Sequence, residues 1–488
     1  MATIAAGVTD ACPEHRRAAL PLGTKFAHGT GAMANGSLIY LRSLLLLFYS
    51  QVVGLEAWMV SLALGIVIAC DAIWDPAIGH FSDTLRSRWG RRHTLMFAAP
   101  IPAALLCVAL WNPPIGLSSQ MTFAWLLASA LLLNLSFSFF EVPANALTPE
   151  LAPGYHVRTN LVAWRWVLGT AGAMITAFMG LGWFLSPEAG AVGQLVREGY
   201  GKLSIAAALL MLGAMLINAF GTRRYRGTLY EPPKASGGLR GSLREAVETL
   251  RNRNMAVAVI AGALAGIGFG IRTVLEAYIA TFIWGLPASA LLLTTVAGFV
   301  ATPIGAIVGA MLSRRYGKKA ACMGLFFVGT ILTNMPLLLR LSGAFFANGD
   351  PLLLPTLIAF AFVSAVFYYG GFVLVSSMIA DIVEDAQAKT GRRSEGLITS
   401  ADQFIQKIIT AMGTVLGGAL LTFIAFPRKA LPGQVPAETL AALGWTFLVL
   451  VTTLSFLSIA VWKFYRIDRE GHEARLSALD VPEVRSVA

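Results

Sequence analysis

DAIWDPAIGHFSDTLRSRWGRRH, residues 71–93, carries two patterns back to back. Up to Gly79 it is apolar except for Asp71 and Asp75, and it continues an apolar run that begins near residue 57. From His80 it becomes a polar turn that closes on Trp89, Gly90, Arg91 and Arg92. An apolar run holding two acids and ending in a basic loop reads as a membrane span with an internal polar site. Composition agrees, because 56% of the 488 residues are hydrophobic and only 13% are Asp, Glu, Lys or Arg. Soluble chains are nearer 45–50% apolar and about 25% charged. A disordered chain, a disulfide scaffold and almost any soluble enzyme of this size are thereby excluded, and a polytopic helical membrane protein is expected.

A helix crosses the hydrocarbon with about 20 residues, or about 25 when tilted. Twelve runs reach that length, at roughly 25–51, 57–80, 94–112, 121–147, 160–184, 201–220, 253–285, 289–312, 319–339, 352–382, 397–425 and 438–465. They are numbered here as helices 1 to 12. With both termini placed in the cytoplasm, 28 of the 37 Lys and Arg lie on the cytoplasmic side and five outside (Arg197, Lys202, Arg340, Arg428 and Lys429). Four lie within spans: Arg42, Arg165, Arg272 and Lys407. That asymmetry is the positive-inside signal of an even helix number. It also assigns the net charge of +11 to topology, so no nucleic-acid partner is expected. The four cysteines have no metal-site or disulfide spacing. No signal peptide is expected, since residues 1–24 lack an apolar core with a cleavage site.

The expected organisation is a cytoplasmic tail over 1–24, a six-helix bundle over 25–220, a cytoplasmic linker over 221–252, a second bundle over 253–465 and a cytoplasmic tail over 466–488. The linker carries Pro232, Pro233, Gly237 and Gly238, then the basic stretch GSLREAVETLRNRN, a short surface helix or a plain spacer. An internal repeat supports the halving. GHFSDTLRSRWGRRH follows helix 2 and GAMLSRRYGKKA follows helix 8, and Gly90 and Gly317 lie 227 residues apart. Twelve spans in two related halves imply an all-α polytopic membrane protein with two pseudo-symmetric six-helix halves, the major facilitator fold.

Charges inside a span cost about 2.5–3.5 kcal/mol each on insertion scales, so they mark function by default. The acids are Asp71, Asp75, Glu141 and Glu276, and the bases are Arg42, Arg165, Arg272 and Lys407. Asp71 and Asp75 are four residues apart and share one helical face. They either share a cation or a proton, or are each neutralised by a fixed Arg or Lys. Glu141 precedes Pro143 in FFEVPANAL, where a local break of helix 4 is expected beside a solute or ion ligand; a structural pair with Arg165 is the alternative. Lys407 in FIQKIITAMG lies about 15 Å along helix 11, near the bilayer middle, and requires an acid partner such as Asp71 or Asp75. Arg272 and Glu276 are also four apart, and either line the cavity or satisfy one another. Arg42 either lines the cavity or pairs structurally. Tyr368 and Tyr369 precede two glycines that serve as packing contacts or as a flexible part of helix 10.

The segment DAIWDPAIGHFSDTLRSRWGRR resembles the signature of the glycoside-pentoside-hexuronide:cation symporter family, to which melibiose permease belongs. A second segment, ADIVEDAQAKTGRRSEG, followed by the helix 11 lysine, is similar to another family motif. The resemblance extends over essentially the whole chain. It implies that Asp71 and Asp75 bind the coupling cation with Ser138 and Lys407 beside them. It also implies that Glu141, Asn145, Arg165 and Asn35 lie at the solute, with Lys407 near both. The loop residues Asp83, Arg86, Arg91 and Arg92, with Asp381 and Arg393, would form a cytoplasmic gate of salt bridges. Three positions depart from the family: Asn35 and Trp74 stand for an Asp and an Asn, and Asn145 for a sugar-stacking Trp.

The function these features imply is cation-coupled symport, with Na+ or H+, of a sugar or glycoside by alternating access. A lysolipid or other amphiphile carried by the same fold is the alternative within transport. A membrane-embedded enzyme would need a nucleophile–base pair or metal ligands, and His15, His28, His80, His93, His156 and His472 do not pair as metal ligands. No cofactor beyond the coupling ion is expected. The expected partners are a small-molecule solute and the lipid bilayer, the expected state a monomer, and the expected location a bacterial inner membrane.

Overall fold

The computed structural model describes residues 20–152, 155–186, 192–225, 253–390 and 395–465. Within them all regular structure is helical. Helix 1 is Leu22–Leu47, helix 2 Ala57–Thr84, helix 4 Ser119–Leu151, helix 5 Tyr155–Met179 and helix 6 Arg197–Thr222. The second set comprises helix 7 Arg253–Tyr278, helix 8 Ala288–Tyr316, helix 9 Lys318–Leu341, helix 10 Leu353–Thr390, helix 11 Glu395–Phe423 and helix 12 Ala437–Val461. These eleven are each long and apolar enough to cross a membrane. Helix 3 comes in two pieces, His93–Ala98 and Pro100–Trp111, rather than as the single run expected over 94–112. Pro100 has no N–H to continue the helix behind it and instead occupies the first position of the second piece.

Helix 4 corrects the expectation of a break at Glu141. It is continuous through Pro143 and Pro149. A proline removes one rung of the hydrogen-bond ladder. Buried against neighbouring helices, that single loss does not end the helix.

The two halves repeat their contacts. Helix 1 lies backbone-to-backbone on helix 5, because Gly36 faces the carbonyl of Gly169 and Gly172 faces that of Met33. Helix 7 lies on helix 11 in the same way, through Gly270 against Thr410 and Gly413 against Ile267. The glycines after Tyr368 and Tyr369 are packing contacts, with Gly370 against Gly305 and Gly309 of helix 8. At one end of the bundle, here the basic end, Gly90 and Gly317 both take positive φ, at 95° and 80°. Each turn delivers the following basic residues to an acid on its own half. Arg91 and Arg92 reach Glu150 at the foot of helix 4, at 3.0 and 2.6 Å. Lys318 reaches Asp381 near the end of helix 10 at 2.7 Å. The sequence repeat is therefore also a repeat of ion pairs.

The expected gate residues are Asp83, Arg86, Arg91, Arg92, Asp381 and Arg393, and the ion pairs described for them lie within one half. Asp83 pairs with Arg92 at 3.0 Å, again within the first half. Arg86 is exposed and Arg393 lies outside the described residues. Among the described residues the basic-end ion pairs staple each half to itself and do not cross between halves.

The halves meet at the opposite end. Helices 1, 5 and 7 each finish there in a π-turn, at Phe48–Val53, Gly180–Phe184 and Ile279–Ile283. Gln51 crosses to the Pro427 carbonyl at 3.2 Å and the Tyr278 hydroxyl at 3.3 Å, and accepts from the Ala430 N–H at 3.0 Å. Gln194 donates to Thr281 at 3.2 Å and to the Leu286 carbonyl at 2.9 Å. Phe48, Tyr49, Trp111, Tyr200, Tyr278 and Phe282 seal the layer beneath.

The helix 1–helix 5 contact yields a test. A methyl at Gly36 has no room, whereas one at Gly213 on helix 6 meets nothing within 4 Å. Gly36→Ala should destabilise the purified protein by about 1–3 kcal/mol, the usual cost of overpacking, seen as a lower melting temperature in detergent. Gly213→Ala should be neutral or slightly stabilising, since Ala is the better helix former.

Candidate functional site

Helix 2 presents Asp71 and Asp75 one turn apart, and helix 11 brings Lys407 between them. Lys407 Nζ lies 2.6 Å from Asp71 Oδ2 and 2.5 Å from Asp75 Oδ2. Helices 2 and 11 come this close because Gly65 abuts Val415 and Gly418 abuts Ser61 further along the same interface. All three groups are partly shielded, with side-chain exposures of 17% for Asp71, 26% for Asp75 and 33% for Lys407. In that setting a carboxylate pair without a cation would repel strongly. Lys407 is the fixed partner that the sequence required, and it links the two halves midway along helices 2 and 11.

Helix 4 supplies the next layer. Its residues Asn134, Ser138, Glu141, Asn145 and Thr148 step by four and three, and so form one polar stripe. Asn134 Nδ2 and Ser138 Oγ donate to Asp71 Oδ1 at 2.7 and 3.0 Å, and Trp74 Nε1 approaches the same oxygen at 3.3 Å. Glu141 Oε1 accepts from Asn35 Nδ2 of helix 1 at 2.6 Å. Asn145 Oδ1 accepts from an Arg165 Nη of helix 5, and Thr148 Oγ1 meets His28 Nε2 at 2.9 Å. Arg42 donates to Asn134 Oδ1.

Arg42, Asn35 and His28 are spaced by seven on helix 1, and their partners Asn134, Glu141 and Thr148 by seven on helix 4. The two helices run antiparallel, so three cross-links at two-turn intervals lock their register. The seam extends from the helix 2 acids toward the basic end, where Glu150 continues it into the Arg91–Arg92 cluster.

Of the residues singled out from sequence, Asp71, Asp75, Ser138 and Lys407 come together in one cluster on helices 2, 4 and 11, and Asn35, Glu141, Asn145 and Arg165 form a second on helices 1, 4 and 5. Glu141 and Arg165 do not pair directly; each is held by an asparagine instead. Arg272 and Glu276 stay outside both clusters. They approach one another at 3.8 Å, and the Glu276 side chain is 69% exposed. Arg42 joins the acids through Asn134. Sequence reasoning missed Asn134, Thr148 and Glu150. The four-three spacing with Ser138, Glu141 and Asn145 is the signal that finds the first two.

Two hydrogen-bonding atoms in the clusters are buried without a partner, Asp75 Oδ1 and Arg165 Nη1. Such atoms mark places where a ligand or water completes the site. A polar cluster of this kind at a half-to-half junction, inside a twelve-helix bundle, defines a membrane transporter of the major facilitator type.

Comparison with known proteins agrees. The MFS/sugar transport protein family matches residues 27–469, and the chain belongs to that family. The isoprimeverose transporter of Lactiplantibacillus pentosus is 23% identical over 465 residues, covering 92% of this chain and 90% of that protein. An uncharacterized symporter of Synechocystis sp. is 33% identical over 205 residues, and that match covers 40% of this chain and 36% of that protein. Among solved structures, a bacterial homolog of the human lysosomal transporter Spinster, inward-facing and unoccupied, superposes with a TM-score of 0.63 at 14% identity. It covers 92% of this chain and 98% of its own.

The central cluster predicts a coupling pattern. Lys407→Met and Asp71→Asn should be non-additive in a double-mutant cycle read by thermal unfolding, with an interaction of about 1 kcal/mol, modest because the site is part-exposed. Lys407→Met with Glu276→Gln should be additive within about 0.5 kcal/mol.

Proposed function

We propose that this protein carries a sugar or glycoside together with a cation by alternating access, as a monomer in a bacterial inner membrane with both termini cytoplasmic. One observation carries the reading: the acids suited to an ion are also the acids that tie helix 2 to helix 11 through Lys407. A cation arriving at Asp71 and Asp75 competes with the Lys407 ammonium, and so loosens a contact between the halves. Ion occupancy and the relative position of the halves are then linked thermodynamically, which is what symport needs.

Asn35, Glu141, Asn145 and Arg165 offer a carboxylate, two amides and a guanidinium for solute hydroxyls. The orphaned Arg165 Nη1 is a ready donor among them. Sealed opposite its basic end and, among the described residues, uncrossed by ion pairs at that end, the bundle fits a state open toward the basic face. With the termini and basic loops in the cytoplasm, that state is inward-open. The matched isoprimeverose transporter and the family's sugar-transport description support a glycoside as solute.

The test is uptake into proteoliposomes of isoprimeverose, a methyl glucuronide and a lysophosphatidylcholine, each with an imposed Na+ or pH gradient. One of the sugars should accumulate against its gradient. Asp71→Asn and Asp75→Asn should abolish accumulation while preserving sugar counterflow. Accumulation unaffected by both substitutions, or transport of the lysolipid alone, would overturn the proposal.

A further inference from the structure

We propose that Arg42 sets the ion preference of the helix 2 acids against Na+, by holding the Asn134 amide with its carbonyl turned away from Asp71. The inference rests on the coupling role proposed above for Asp71 and Asp75, and it deepens that role by naming the residue that selects the ion.

The argument is one of donors and acceptors. A hard cation gives up its water only where several oxygen lone pairs replace it. Around Asp71 the structure provides hydrogens instead. Oδ2 faces the Lys407 ammonium, while Oδ1 faces the Asn134 amide nitrogen, the Ser138 hydroxyl and, further off, the Trp74 indole nitrogen. The lysine ammonium and the indole nitrogen have no lone pair to offer a metal, the Ser138 hydroxyl offers a single oxygen, and Asn134 is the one amide neighbour, able to turn either its nitrogen or its carbonyl oxygen to the acid. Its orientation is chemically forced. Arg42 has only donors and takes Oδ1, which leaves Nδ2 for the carboxylate, an acceptor only. Asp75 Oδ1 is the one carboxylate oxygen of the pair that is buried and open. One oxygen does not make a hydration shell.

The surroundings reinforce this. The charged groups acting on the two acids are Lys407 from helix 11, Arg42 from helix 1 and Glu141 from helix 4. No carboxylate lies within ion-pair distance of Arg42 among the described residues. Its influence on Asp71 therefore passes through Asn134 and through space. Removing the guanidinium frees the Asn134 amide to rotate and adds a carbonyl oxygen beside Asp71, Asp75 and Ser138.

The experiment is a NaCl titration of the purified full-length protein against choline chloride at constant ionic strength, read as melting temperature and as direct 22Na+ binding. Wild type should respond to the two salts alike. Arg42→Met should acquire Na+-specific stabilisation, with an affinity about ten- to a hundredfold above wild type, the usual scale for changing the groups that orient metal ligands. That gain should vanish in Arg42→Met/Asn134→Leu and in Arg42→Met/Asp71→Asn. If the gain persists without Asn134, charge removal alone explains it and the amide-turning role is overturned. If wild type already binds Na+ and loses it in Asp71→Asn, Arg42 does not exclude the ion. That result would sink this inference while leaving the coupling proposal intact, and its wild-type arm stands whether or not Arg42→Met folds. Failure of the coupling proposal shows separately, as sugar accumulation that ignores Asp71→Asn and Asp75→Asn.

Discussion

A lysine ammonium held between two aspartates midway along two apolar helices is the contact around which the rest of this protein is arranged. None of the three charges is tolerable alone in an apolar bundle, where an unpaired ion costs several kcal/mol. Together they are tolerable, but only if helices 2 and 11 stay close enough for Lys407 to reach both carboxylates. The glycines at positions 65 and 418 make that approach sterically available. The two halves are thus joined at their centre by an interaction whose strength depends on what else binds the acids.

Around this centre the two ends of the bundle are built differently. The end opposite the basic loops closes mainly through the amides of Gln51 and Gln194 over an aromatic layer, with one exposed ion pair, Glu56–Arg428 at 3.6 Å, crossing beside them. At the basic end the ion pairs among the described residues lie within one half, with Arg91 and Arg92 on Glu150 and Lys318 on Asp381. Hydrogen bonds between neutral groups are each worth about 1 kcal/mol net. A closure made of several such bonds is firm yet reversible. Ion pairs within a half stiffen that half as a body. This division suits two units that rock about a fixed site.

Much of the site was legible because charge in an apolar run is conspicuous. Asp71, Asp75, Glu141, Arg165 and Lys407 stand out by charge alone, and the spacing of four by itself puts the two aspartates on one helical face. Asn134 and Thr148 did not stand out, because neutral amides and hydroxyls are common in spans and carry little insertion cost. Their meaning comes from the partner across the seam, Arg42 or His28, which is more than a hundred residues away for Thr148 and 92 away for Asn134. The expected break at Pro143 failed for a related reason. A proline weakens a helix locally, but whether the helix ends depends on neighbours that only the packed bundle supplies. The gate residues illustrate the same limit, since the partners of Arg91, Arg92 and Asp381, namely Glu150 and Lys318, are set by packing rather than by sequence spacing.

The sequence by itself determined the class of protein: the number of apolar runs, the bias of basic loops, the repeat around Gly90 and Gly317, and the presence of unavoidable buried charges. Each of these is a property of composition and local spacing, and the bilayer turns such properties directly into topology. Tertiary structure decided which charges meet and which way each amide faces. It set Lys407 between Asp71 and Asp75, separated Glu141 from Arg165, left Arg272 and Glu276 to one another, and fixed Asn134 between Arg42 and Asp71. Those choices follow from helix register and close approach between distant segments. A side chain only a few ångströms long meets its partner or misses it according to how the backbones around it have packed.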